Sequence, residues 1–210
     1  MSTESIPGPA YRIITPRLVI RCPEPSDASF LDLAIQQNID HLQPWMPWIK
    51  QEPVGFQERI EYLRHVRGNF DLGVDFGYLI FNPSETLLLG GTGLHTRLGL
   101  GAREIGYWIH KDHINQGYAT EVSAALTKAA FEIDHVKRVE IHCNPKNVRS
   151  ASIPRKLGFI HEATLHNRVE DVSGNLRDTM VWTLFEENYP TSPVAKVNIQ
   201  AFDVIGRRII

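Results

Sequence analysis

The chain has 210 residues, 42% apolar and 22% charged, with 22 Lys and Arg against 24 Asp and Glu for a formal charge of −2. Against a typical domain of ~150 residues this length predicts one domain with an extension, and the composition excludes a disordered, collagenous or coiled-coil chain. With no basic excess, sequence-independent binding to nucleic-acid phosphates has no electrostatic source, so nucleic acid is not an expected partner.

After an arm bearing Pro and Gly, residues 18–22 predict a first strand, rich in β-branched residues and ended by Pro23 and Pro25. Ser26 is placed to cap a helix in which Phe30, Leu31, Ala34 and Ile35 recur at helical spacing, with Asp27 in its first turn and an end near Asn38. Residues 42–49 hold Pro44, Pro47, Trp45 and Trp48 and predict an aromatic-rich loop. Phe56, Ile60, Leu63 and Val66 mark a second helix that ends near Gly68 and Asn69. From Phe76 the period shifts to about two, predicting an antiparallel meander of strands over residues 76–82, 86–95 and 104–110. Asn82, Pro83, Ser84, Gly99 and Gly101 supply the turns.

A long Ala-rich helix over residues 117–133 follows, with Val122, Ala125, Leu126, Ala129, Ala130 and Ile133 facing inward. A strand over 136–143, a short helix over 147–157, and strands over 159–165 and 178–185 complete the pattern, with a turn at Gly174 and Asn175. The order predicts an α/β (α+β) fold, a mixed and mostly antiparallel seven-stranded sheet with helices on both faces. Residues 1–188 form the expected domain and residues 189–210 a C-terminal β extension, read as a hairpin around Gly206. Its Val197, Ile199, Phe202, Val204, Ile205, Ile209 and Ile210 must dock on the chain's own domain or on a partner subunit, leaving monomer and homodimer both open.

Cys22 and Cys143 lack C-x-x-C spacing, which argues against a disulfide framework or a zinc site and fits a reducing cytoplasm. Residues 1–12 contain no apolar h-region and no stretch approaches ~18 uninterrupted apolar residues, so export and membrane spanning are not expected. His110-x-x-His113 brings no third ligand by spacing, so no metal is expected there.

Chemistry concentrates in two stretches. Gln116, Gly117, Tyr118, Ala119 and Thr120 open the long helix, where free backbone N–H groups and a glycine that lets the backbone approach closely suit a pyrophosphate. One strand downstream lie Asn147, Ser150, Pro154 and Leu157-Gly158-Phe159. Together with Gln43-Pro44-Trp45-Met46-Pro47-Trp48, Gly90-Gly91-Thr92-Gly93-Leu94-His95 and Glu104-Ile105-Gly106-Tyr107-Trp108, these stretches resemble the GNAT acyltransferase superfamily, and within it the RimJ/RimL type of protein N-terminal acetyltransferase. The resemblance covers residues 15–185.

It implies acetyl-coenzyme A as co-substrate, no metal, and an amine acceptor. It further implies that the strand ending at Ile109 and His110 splays from its neighbour to admit pantetheine. Asn115, Gln116, Gly117, Tyr118, Ala119 and Thr120 would then cradle the pyrophosphate, with Asn147 also on the cofactor. The family's Q/R-x-x-G-x-G/A loop departs here at Ile114, which removes a polar side chain and leaves the backbone donors. An oxyanion donor is implied at a backbone N–H near Ile109, a kind of contact worth ~3–4 kcal/mol in the barrier.

The resemblance also places a proton donor for the leaving thiolate at a Tyr where this chain has Pro154, and makes Ser150 the next candidate. Glu104 is the candidate base, directly or through water. At pH 7 deprotonating an α-amine costs ~1 kcal/mol and a lysine ~4.6 kcal/mol, so an α-amine needs little help. Trp45 and Trp48 are expected to wall the acceptor cleft. Tyr107, Trp108 and Trp182 read as structural, and His95 and His142 as core or strand-end residues. The leading acceptor is a protein or peptide α-amine. A polyamine, drug or amino-acid-like amine, and a non-catalytic acyl-coenzyme A sensor, are the alternatives.

Overall fold

A computed structural model describes residues 8–210; the start of the N-terminal arm lies outside the described residues. In chain order the elements are β1 (Arg12–Ile14), β2 (Val19–Arg21), α1 (Ala28–Leu42), α2 (Phe56–Asp71), β3 (Phe76–Phe81), β4 (Leu88–His95) and β5 (Ala102–Ile109). There follow α3 (Tyr118–Glu132), β6 (Arg138–Cys143), α4 (Val148–Lys156), β7 (Ile160–Glu170), β8 (Leu176–Phe185) and β9 (Gln200–Phe202). The strands form one sheet in the order β7-β8-β6-β5-β4-β3-β2-β1-β9.

Period-two alternation sends successive side chains to opposite faces, and each face has its own helical cover. Ile20, Ile80, Leu94, Ile105, Ile141 and Leu184 meet Val122, Leu126 and Ala129 of α3 and Ala151 of α4 on one side. Val19, Leu79, Phe81 and Leu88 meet Leu31 and Ile35 of α1 and Leu63 of α2 on the other. This is the mixed sheet with helices on both faces that the sequence order implies.

The feature that positions the site is a break in the ladder. All neighbouring strands are antiparallel except β5 and β6, which run parallel and pair only at Ala102↔Arg138, Arg103↔Val139 and Glu104↔Glu140. Beyond Glu104, β5 stays paired with β4 as far as Gly90↔Ile109, while β6 stays paired with β8 as far as Cys143↔Met180. The sheet is therefore split between β5 and β6, and the split widens away from Glu104.

Several boundaries differ from the sequence reading. The strand at Arg12–Ile14 went unread because its three residues sit between Pro9 and Pro16; with β9 it brings the sheet to nine strands. The first helix starts at Ala28 rather than beside Ser26, because a 3-10 turn over Pro25–Asp27 precedes it. It runs past Asn38 to Leu42, since buried Asn38 turns its amide back onto the Ala34 carbonyl at 2.7 Å. The extension docks on its own chain: β9 pairs with β1, and Val194, Ile199 and Ala201 enter the core on the α3 side. Its turn at Gly206 brings Arg208 back to a bridge with Phe202.

Candidate active site

At the open end of the split, β5 ends at Ile109 and the chain turns through residues 110–117 into α3. Asn115 (φ +60°) and Gly117 (φ +82°) are both left-handed, which turns the backbone into the start of α3. Glu121 is the first residue of α3 to donate back into the loop, to the Gly117 carbonyl at 3.0 Å, so the N–H groups of Tyr118, Ala119 and Thr120 are the free start of a fifteen-residue helix. Their dipole sum favours an anion. Ile114, where the loop pattern departs, packs against the core on this side and holds the loop down by burial.

Arg17, which sequence reasoning passed over, fastens the loop from a neighbouring segment. Its guanidinium donates to the Gln116 carbonyl at 2.8 Å and to Glu121 Oε2 at 2.7 Å, and lies 4.7 Å over the Tyr118 ring. The contact joins residues a hundred positions apart, a distance no local pattern reports.

His110 follows β5 with its backbone N–H on the Leu89 carbonyl at 2.8 Å and its ring Nε2 at 3.0 Å from Gln37 Oε1. Its ring lies 5.5 Å from that of His113. No group of three or more His, Cys, Asp or Glu among the described residues could hold a metal ion.

Where β5 and β6 part, a cavity of about 840 Å³ runs beside the split, lined by Trp45, Trp48, Glu104, Asn147 and Ser150 among others. Five of the residues singled out from the sequence thus share one space; Ile109, His110 and residues 115–120 do not line it. Glu104 is buried at the apex. Arg97 donates to both its oxygens, at 2.7 and 2.5 Å, and His142 Nδ1 lies 3.8 Å away. Burial by itself would raise the carboxyl, but Arg97 and His142 outweigh it and hold Glu104 below the usual glutamate range.

His95 and His142, read as core or strand-end residues, both stand in the cavity wall. His142 Nε2 pairs with Glu140 at 2.7 Å, and His95 Nδ1 with Asp75 Oδ2 at 2.9 Å.

On the α4 side, Asn147 caps the helix by accepting the Ser150 N–H at 3.1 Å. Ser150 Oγ is thereby left to meet the Tyr107 hydroxyl at 2.9 Å. Burial pushes the Tyr107 phenol well above its ordinary range, so it stays protonated. Tyr107, read as structural, is therefore the second hydroxyl of a pair beside the split.

Across the cavity, the Arg177 guanidinium donates to the Trp45 carbonyl at 3.0 Å, fixing the loop that carries both tryptophans. That loop carries a 3-10 turn over Pro47–Gln51, set by Pro47 at its start.

The site and the fold define an acyltransferase that takes its acyl group from coenzyme A, and comparison with known proteins agrees. The model of the acetyltransferase (GNAT) domain matches residues 17–160. The chain belongs to the GNAT family, close to its RimJ/RimL-type members, and is an acetyl-coenzyme A-dependent acetyltransferase.

It is 28% identical to YdaF of Bacillus subtilis over 179 residues, covering 84% of this chain and 95% of that one. It is 26% identical to the [ribosomal protein uS5]-alanine N-acetyltransferase of Escherichia coli over 182 residues, covering 84% and 91%. Among solved structures it resembles Mycobacterium smegmatis RimJ in complex with coenzyme A disulfide, with a TM-score of 0.75, 21% identity, and 91% and 93% of the two chains covered. No helix among the described residues is long and apolar enough to cross a membrane.

Proposed function

We propose that the protein acetylates the N-terminal α-amine of a protein or peptide, by direct attack of the amine on the thioester of acetyl-coenzyme A. One observation carries this reading: the pairing of β5 with β6 stops at Glu104, and a cavity lined by that carboxylate, held ionised, lies beside the break. The cradle residues Asn115, Gln116, Gly117, Tyr118, Ala119 and Thr120 suit the pyrophosphate. The stretch of β5 that β6 leaves unpaired, up to Ile109 and His110, suits the pantetheine arm and an oxyanion contact. Asn147, which caps α4 and lines the cavity, is assigned to the same arm.

Glu104 faces the acceptor ammonium as counter-ion and first meets its proton, directly or through water. The neutral amine then attacks the carbonyl carbon, a C–N bond forms, and the C–S bond breaks. Ser150, backed by the Tyr107 hydroxyl, gives the leaving thiolate a hydrogen bond or proton, in place of the phenol that the helix lacks at Pro154. Trp45 and Trp48 wall the residues that follow the acceptor amine.

A peptide α-amine is favoured over a lysine because it needs ~3.5 kcal/mol less to deprotonate at pH 7. The Escherichia coli relative named for an alanine of ribosomal protein uS5 shows that such an enzyme can act on a protein. The test is thiol release with product mass, offering acetyl-coenzyme A with peptides that begin with Ala or Ser, a blocked lysine peptide, and spermidine. Acetylation confined to the free N-terminus is expected; turnover of spermidine alone would overturn the assignment, and no turnover with any amine would indicate a sensor.

A further inference from the structure

Glu104 is held ionised by Arg97, and a carboxylate kept below its usual range is a poor resting place for an amine's proton. The cavity offers a better one. His95 is the cross-strand partner of Glu104, so the two side chains share the cavity face of the sheet. Asp75, in the turn before β3, accepts from His95 Nδ1 at 2.9 Å and is itself held by the Thr96 N–H at 3.2 Å. With Nδ1 as the donor, the neutral ring presents a lone pair at Nε2, which has no hydrogen-bond partner among the described residues.

The sheet is built to let the ring lie where it does. Gly77, Gly93 and Gly106 form one row across β3, β4 and β5. A Cβ on Gly93 would stand 2.7 Å from His95 Nε2, and one on Gly106 would stand 3.3 Å from the same atom. The imidazole therefore lies over bare backbone, running from Asp75 towards β5.

We infer that His95, oriented by Asp75, is the terminal proton acceptor for the acceptor ammonium, a positioned acid–base pair beside Glu104. The inference rests on the acetyltransferase reading. The acceptor's N–H bond breaks, the proton passes directly or through water to His95 Nε2, and the electron pair left on nitrogen attacks the thioester. Asp75 and the Glu104 carboxylate face the ring; Arg97, His142 and Arg177, with Arg59, Glu52 and Glu58 from the α2 side, the phenols of Tyr62, Tyr78 and Tyr107 and the Cys143 thiol, are the other charged or titratable groups of the same cavity.

The experiment is the pH dependence of kcat/KM for a peptide with an N-terminal alanine, comparing the unaltered protein with His95→Gln and Asp75→Asn, with calorimetric titration of acetyl-coenzyme A as the control. His95→Gln is expected to bind acetyl-coenzyme A unchanged but to depend on amine already neutral in solution. Its acid limb then moves to the amine's own pKa near 7.8, with a loss of about 20-fold at pH 6.5 and under about threefold at pH 9. Asp75→Asn is expected to show the same pH-dependent pattern to a smaller degree, and it keeps the test alive if His95→Gln does not fold. A loss independent of pH, or an unchanged profile in both variants, would overturn the role of His95 while leaving the acetyltransferase reading intact. Absence of acetyl-coenzyme A binding by the unaltered protein would defeat that reading instead.

Discussion

Gly117 adopts φ +82° with Arg17 poised beside it, so a side chain there meets both backbone strain and a guanidinium 3.4 Å from its Cβ. Gly117→Ala is expected to cost ~1–2 kcal/mol in the loop and to weaken acetyl-coenzyme A binding roughly tenfold by calorimetry, since the amides that follow it are those proposed to meet the pyrophosphate. Ser150→Ala and Tyr107→Phe should each lower kcat about tenfold or more with little change in the KM for acetyl-coenzyme A. The double variant should fall short of the product of the two, because the hydroxyls touch at 2.9 Å and act as a unit.

Gly117, Glu104 and Ser150 could be singled out from the sequence because each sits in a stretch whose neighbours announce its surroundings. Tyr107, Arg17 and the His95–Asp75 pair could not. Their meaning comes from partners 43, 99 and 20 positions away, brought near only by the tertiary fold.

At the scale of elements, periodicity sufficed where a segment buries one face over several turns or alternates over many residues, as in α3 and β4. It failed where the outcome is set by what lies opposite. β1 is three residues long and exists because β2 and β9 flank it. α1 outruns its apparent stop because Asn38, a residue that reads as a terminator, is buried with its oxygen accepting the Lys111 N–H at 2.6 Å.

β9 makes a corresponding claim testable. Ile199 and Ala201 are almost fully buried, so Ile199→Ala should cost ~2–5 kcal/mol and lower Tm accordingly. Deleting residues 198–210 should destabilise further by exposing the edge of β1, and a truncated chain with unchanged Tm would contradict the docking described.

Across the whole molecule, the titratable groups of the cavity tie stability to pH. The Glu104 and Asp75 carboxyls are each pulled below their ordinary ranges, burial being outweighed by Arg97 and His142 at Glu104 and by His95 and the Thr96 N–H at Asp75. Glu140 is lowered through His142 and Arg138. A carboxyl with a lowered folded pKa contributes stability that is present above its unfolded value and lost as pH falls through its folded value. Thermal unfolding should therefore be level above pH ~5 and decline below pH ~4. Arg97→Ala should be most destabilising near neutrality, by roughly 1–3 kcal/mol after allowing for the exposed guanidinium, and less so in acid, where Glu104 takes up a proton.

In the proposed mechanism an anion cradle at the start of α3 and the Glu104 carboxylate on the α2 side serve one bond across a sheet that parts between β5 and β6. The order of the elements foretold the mixed sheet, but not where its ladder stops. Amide hydrogen exchange with and without acetyl-coenzyme A tests that geometry most directly. Protection gained by the amides of residues 105–109 and 117–120 is the expected result; saturating ligand that leaves both segments exchanging as before would contradict it.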